Sequence, residues 1–133
     1  MEQASFHPFA DLIGLTVDGH TADTSTCSLS VAAPLMNPHR VLHGGVLYSM
    51  ADTGMGAALY PSLADGELCA TIEIKIAYFK PVVSGRLVCR SQVTHRGRRT
   101  AHLESEIRNG DQLVAKATGS FAIFRPERKS AAA

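Results

Sequence analysis

The sequence predicts an α+β domain in which one antiparallel sheet of five to six strands wraps a single long central helix. Three observations predict it. Residues 44–60 (GGVLYSMADTGMGAALY) form the only long helical stretch and are apolar on nearly every side, which is the pattern of a helix buried all round. From residue 71 to residue 124 the chain alternates in the manner of strands, and Asn109-Gly110 marks a tight hairpin. Consecutive strands with short turns make an antiparallel sheet, and a sheet twisted enough to wrap the helix supplies the apolar cover it needs.

The elements follow in order. At 133 residues the chain has the length of one domain, expected over residues 1–125, with residues 126–133 as a flexible tail. Residues 6–13 set Phe6, Phe9, Leu12 and Ile13 at helical spacing, ending near Gly14. Residues 15–33 read as β, with Gly19 at a turn and with Cys27, Leu29 and Val31 alternating against Ser28 and Ser30. Two prolines make residues 34–40 a loop. In the long helix Gly54 and Gly56 lower helix propensity, which makes sense where a sheet packs close against the helix backbone. Pro61 helps end that helix. Strands are then expected at 71–79, 86–95, 100–108 and 113–124. The first sets Ile72, Ile74, Ile76 and Tyr78 against Thr71, Glu73 and Lys75. The third sets Ala101, Leu103, Ser105 and Ile107 against His102, Glu104, Glu106 and Arg108.

Composition narrows the function classes. Apolar residues are 45% of the chain and charged residues 19%, the balance of a soluble globular protein with a core of its own. A formal charge of +1 provides no global field for nucleic acid or an acidic membrane. No stretch reaches the length of a membrane span, and the start lacks the basic and apolar regions of a signal peptide. Cys27, Cys69 and Cys89 are scattered and odd in number, against a disulfide framework and against a zinc ribbon. They read as buried small hydrophobes in a reduced, cytoplasmic protein. His39 and His43 lie four apart, but Pro38 and Gly44-Gly45 argue against a helix across them, and no metal is expected.

Asp52 stands in the middle of the apolar helix, with Tyr48, Ser49, Met55 and Gly56 one turn away and no Lys or Arg three or four residues off. An ionised carboxylate in such a place is costly unless it is paired or used. His43-Gly44-Gly45 opens the same helix. Its first turn has unpaired N–H groups and a partial positive charge, suited to a carbonyl oxygen that develops negative charge. Gly44 and Asp52 are eight residues apart, about 12 Å along a helix. Both cannot touch one carbonyl from the same chain. A two-fold dimer, with the helix start of one subunit facing the Asp52 of the other, solves this. Arg96, Arg98 and Arg99 cluster in a predicted hairpin and suit phosphate groups.

Asn37-Pro38-x-x-x-x-His43-Gly44-Gly45 followed by Ala51-Asp52 resembles the signature of PaaI-type hotdog thioesterases, a group similar to the 4-hydroxybenzoyl-CoA thioesterases. The strand Ile72-x-Ile74-x-Ile76-x-Tyr78-x-x-Pro81 belongs to the same resemblance. It implies a single hotdog domain and hydrolysis of a small aryl- or acyl-CoA to free acid and CoA. No cofactor is implied, since CoA is part of the substrate. Asp52 then activates water or attacks the thioester, the N–H of Gly44 polarises its carbonyl, and Asn37 helps hold that carbonyl or the water. His43 orients the loop, and Thr71 holds the water beside the acid. Gly56 departs from one branch, which has a hydroxyl residue there. Gly45, Leu47, Met55 and Tyr78 are expected at the acyl or thioester end, with the 6–13 helix shaping the pocket. Arg96, Arg98 and Arg99 are expected near the CoA phosphates. The minimal unit is a homodimer, with a dimer of dimers expected, and with neither nucleic acid nor membrane as partner.

Two other readings share these residues. Hotdog hydratases and dehydratases use a His with a carboxylate, but an acid well inside the helix behind an HGG entrance fits thioester hydrolysis better. A non-catalytic acyl-CoA-binding module does not need a polar pair as complete as Asn37 with Asp52.

Overall fold

The computed structural model describes residues 7–127; Phe6 of the expected first helix and residues 128–133 of the expected tail lie outside them. The first helix, α1, runs Pro8–Ile13. His7 caps it, its Nδ1 accepting from the N–H of Ala10 at 3.3 Å. Pro8 fits the first turn, where an N–H has no intrahelical partner. Gly14 ends the helix in the left-handed region at φ +77, a conformation glycine adopts without steric cost.

Strands β1 (Leu15–His20) and β2 (Thr24–Ser30) pair antiparallel. Gly19 does not make the turn between them. It lies inside β1 where the register slips between Val17 and Gly19, as at a β-bulge. The turn falls at residues 21–23, where Thr21 Oγ1 accepts from the N–H groups of Asp23 and Thr24, a hydroxyl doing what glycine was expected to do. Ser28 is buried as deeply as its apolar neighbours, because Arg86 Nη2 and Thr16 Oγ1 close over its hydroxyl at 2.6 and 3.1 Å. A single 3-10 turn (Ala33–Leu35) and a loop follow, in which Arg40 takes φ +64.

The long helix, α2, spans Gly44–Leu59, and Pro61 sits in the 3-10 turn just after it (Tyr60–Ser62). Four strands complete the chain: β3 (Leu68–Tyr78), β4 (Arg86–Arg96), β5 (Thr100–Asn109) and β6 (Gln112–Phe124). The six form one sheet in the order β1-β2-β4-β5-β6-β3, antiparallel at each pairing. Ala101, Leu103, Ser105 and Ile107 of β5 are buried as their alternation predicts. In β3 the alternation breaks, because the register slips between Thr71 and Glu73. Thr71 therefore shares a face with Ile74 and Ile76, while Ile72 is 56% exposed on this edge strand.

The core lies between α2 and the concave face of the sheet. Met50 packs with Leu29, Leu87, Ile107 and Val114 toward one end, and Met55 and Leu59 pack with Leu103, Phe121 and Ile123 toward the other. Burial of such side chains stabilises by about 1.5–3 kcal/mol each. At Gly54 the sheet comes so close that a Cβ would stand 2.5 Å from Ser91 Oγ. Gly56 is not constrained this way, since a Cβ there meets nothing nearer than 3.9 Å. No helix among the described residues is long and apolar enough to cross a membrane.

Candidate active site

Asp52 lies on the side of α2 away from the sheet floor, half-buried in the wall of a cavity of about 720 Å³. Thr71 of β3 donates from Oγ1 to Asp52 Oδ1 at 2.6 Å. The bulge at Ile72 is what turns Thr71 inward. Among the described residues Asp52 makes no ion pair, and it is the one carboxylate lining this cavity. Phe9, Tyr48, Tyr60 and Phe121 supply aromatic walls, and His7 and His20 stand at its border. The acid therefore faces an apolar space large enough for a small organic group.

The start of α2 is built separately. His43 is the N-cap, and its Nδ1 accepts from the N–H of Gly45 at 2.7 Å. The N–H of Gly44 makes no hydrogen bond among the described residues, and no acidic side chain sits in the first turn. The helix-end field there is left uncompensated. Both glycines have a reason within the protein itself. A Cβ on Gly44 would stand 3.1 Å from the Tyr78 ring, and one on Gly45 would stand 2.9 Å from His43 Nδ1. Tyr78 also donates to Gly44 O at 2.8 Å, and burial, then Tyr48, hold its phenol above the ordinary value. Thus Tyr78 and His43 brace the helix start, a role that for Tyr78 the sequence reading missed.

Asn37 Oδ1 accepts from the N–H groups of His39 and Val41 at 2.9 and 3.1 Å. Two donors fix the orientation of the amide, so its Nδ2 is the free end. Asn37, Gly44, Leu47 and Tyr78 line a second cavity of about 300 Å³, together with Lys80. This cavity shares no lining residue with the one that holds Asp52.

Five expected site residues stand elsewhere. Met55 is fully buried in the core and lines neither cavity; its position on α2 points it at Gly119, where a Cβ would come within 2.7 Å of its sulfur. Gly45 lines neither cavity, and its N–H is taken by His43. Arg96 is drawn into the protein. It donates to Ser62 Oγ and Ser62 O at 3.2 and 3.1 Å and lies 3.6 Å from Glu67, tying β4 to the 3-10 turn after α2 and to the loop before β3. Arg98 and Arg99 are exposed at the hairpin.

The thiols are poor nucleophiles. Burial pushes Cys27 up to about 12 and Cys89 up to about 11. Cys69, in the wall beside Asp52, is raised by burial and then by the Asp52 charge. Such groups stay protonated near neutrality.

Residues 39–116 match the family profile of the Thioesterase superfamily. Over 117 residues the chain is 29% identical to the acyl-coenzyme A thioesterase PaaI of Escherichia coli, a span of 87% of this chain and 77% of that protein. A relative from Archaeoglobus fulgidus is 33% identical over 87 residues, 64% of this chain, and the match spans 54% of that relative's length. The solved structure of conserved protein PA5202 from Pseudomonas aeruginosa is 37% identical, with a TM-score of 0.87 over 92% of this chain and 98% of that one. One acid-bearing helix cradled in a six-stranded antiparallel sheet defines a hotdog domain. The chain belongs to the Thioesterase superfamily and is a hotdog thioesterase of the PaaI type.

Proposed function

We propose that the protein is an acyl-CoA thioesterase acting on a small aryl- or acyl-CoA, with each site shared between two subunits of a homodimer. One observation carries this. Asp52 with Thr71, and Asn37 with the free N–H of Gly44, lie in two cavities of the same chain that have no residue in common. Each is half of a thioester site. A two-fold axis joins the Asp52 cavity of one subunit to the Gly44 cavity of the next. The edge position of β3 supports a neighbour here. Among the described residues the outer edge of β3 is unpaired, and such an edge with exposed Leu68 and Ile72 is a template for another strand.

In this reading the acyl group sits among Phe9, Tyr48, Tyr60 and Phe121, and the thioester carbonyl meets Gly44 N–H and Asn37 Nδ2 of the partner subunit. Asp52 takes a proton from water as the water oxygen adds to the carbonyl carbon. Thr71 holds Oδ1, leaving Oδ2 as the acceptor. The tetrahedral oxyanion is stabilised at the helix start. Its collapse expels the CoA thiolate, which recovers the proton, giving free acid and CoA.

Purified protein is tested with aryl-, short- and medium-chain acyl-CoA by thiol release. A hotdog hydratase instead changes enoyl absorbance without releasing thiol. Sharing of the site is tested by mixing Asp52→Asn with Asn37→Asp protein and allowing subunits to exchange. Half the dimers are then mixed, with one whole site in each, so about a quarter of wild-type activity returns. No recovery in exchanging subunits refutes the shared site.

A further inference from the structure

Ser25 of β2, Ser91 of β4 and Ser105 of β5 form one row across three adjacent strands, since Ser25 pairs with Ser91 and Ser91 with Ser105. All three are 1–3% exposed, on the face that carries α2. Ser91 Oγ and Ser105 Oγ are 2.7 Å apart. Ser25 Oγ donates to Gly54 O at 2.6 Å, and Ser105 Oγ reaches Ala51 O at 3.5 Å. Ser91 Oγ fills the place where a Gly54 Cβ would be.

Stability does not call for hydroxyls here. The carbonyls of Ala51 and Gly54 have helical N–H partners four residues on, so alanines in the row leave no helix carbonyl without a partner. Buried hydroxyls add direction, because hydrogen bonds specify one arrangement where apolar contacts tolerate several. The row grips α2 at residues 51 and 54, on either side of Asp52. Gly54 lies two residues on, about 200° round the helix from Asp52. Rotation fixed at Gly54 on the sheet side is therefore direction fixed for the carboxylate on the other side.

We infer that Ser25, Ser91 and Ser105 are positioning residues that set the depth and rotation of α2, holding the Asp52 carboxylate against Thr71 and in the cavity. The inference rests on Asp52 being the reacting carboxylate.

Steady-state kinetics of Ser25→Ala, Ser105→Ala and the double variant test it. The double variant is expected to lose about tenfold or more in kcat with KM unchanged, as small misplacements of a reacting group do. Ser25→Cys, which keeps a donor, is expected to recover part of the loss. Full kcat in folded Ser25→Ala/Ser105→Ala protein, even at a lower melting temperature, overturns the inference. If those variants do not fold, Ser91→Ala and Gly54→Ala are measured singly. Loss of the Ser91 hydroxyl frees α2, and a methyl at Gly54, 2.5 Å from Ser91 Oγ, lifts it, so each is expected to lower kcat with KM unchanged; full kcat in both overturns the role. A wild-type protein that turns over no thioester removes the reading of the site and the row's role with it. An active wild type, an inactive Asp52→Asn and an undiminished serine variant remove the row's role alone.

Discussion

Thr71 Oγ1 stands 2.6 Å from Asp52 Oδ1, joining the edge strand to the middle of the central helix across 19 residues of sequence. The bond orients the carboxylate and leaves one oxygen to accept a proton. A hydrogen bond to a charged group is worth about 1.5–3 kcal/mol, or roughly 10–100-fold in rate if it is needed only as the reaction proceeds. Thr71→Val is therefore expected to lose about that factor in kcat, while Thr71→Ser keeps most of it. Asp52→Asn and Asp52→Ala are expected to lose several decades in a folded protein. Near-normal thiol release by either Asp52 variant eliminates the assignment.

The three arginines of the 96–99 hairpin separate by role. Arg96 holds Ser62 and Glu67, so Arg96→Ala is expected to cost about 1–2 kcal/mol of stability and to lower the melting temperature by roughly 3–8 °C. KM for acyl-CoA is expected to stay the same. Arg98→Ala and Arg99→Ala are expected to do the reverse, raising KM for acyl-CoA but not for acyl-pantetheine, which lacks the nucleotide phosphates. A KM rise in Arg96→Ala as large as in the other two contradicts this division.

Alkaline conditions test the buried thiols. Cys27 is raised from 9.0 to about 12 by burial, then by Cys89 and Asp18. A raised folded value favours the protonated thiol in the native state. Its contribution is full below the unfolded value and is lost as pH climbs from about 9 toward 12. Chemical denaturation is therefore expected to show falling stability across that window, and Cys27→Ala to flatten the fall. A thiol reagent at pH 8 should label Cys69 before Cys27 or Cys89. Rapid labelling of Cys27 in the folded protein contradicts its burial.

The parts legible in the sequence were those set by local pattern. An apolar run without a polar face could only be a buried helix, so α2 and the odd carboxylate within it stood out, as did the clean alternation of β5. What stayed hidden depends on which strands meet. Nothing near Ser25 announces Ser91 or Ser105, because the row exists only through register. The slip at Ile72, which turns Thr71 toward Asp52, leaves no mark in a run that alternates perfectly on paper. Two glycines in a row at the start of α2 do not say in sequence what crowds them; a Cβ on Gly44 meets Tyr78 and one on Gly45 meets His43, residues near them only after folding or by capping geometry. Met55 is one turn from Asp52, but the helix was placed without knowing which side faces the sheet.

Gly44 offers the sharpest test of the helix start, because its N–H can be removed without removing a side chain. Proline is well suited to the first position of a helix, where the N–H has no helical partner. His43 already has the extended conformation that precedes proline, φ −61 and ψ 134. Gly44→Pro should therefore leave α2 intact. It should also deprive the developing oxyanion of a donor, at a cost of about 10²–10³ in kcat. Any added Cβ meets the Tyr78 ring at 3.1 Å, so Gly44→Ala, which keeps the N–H, measures the steric share. The expected order in kcat is wild type, then Gly44→Ala, then Gly44→Pro far below, with circular dichroism unchanged across the three. Equal kcat in Gly44→Ala and Gly44→Pro shows that crowding at Tyr78, and not the lost hydrogen bond, accounts for the effect, and the helix start then has no part in holding the carbonyl.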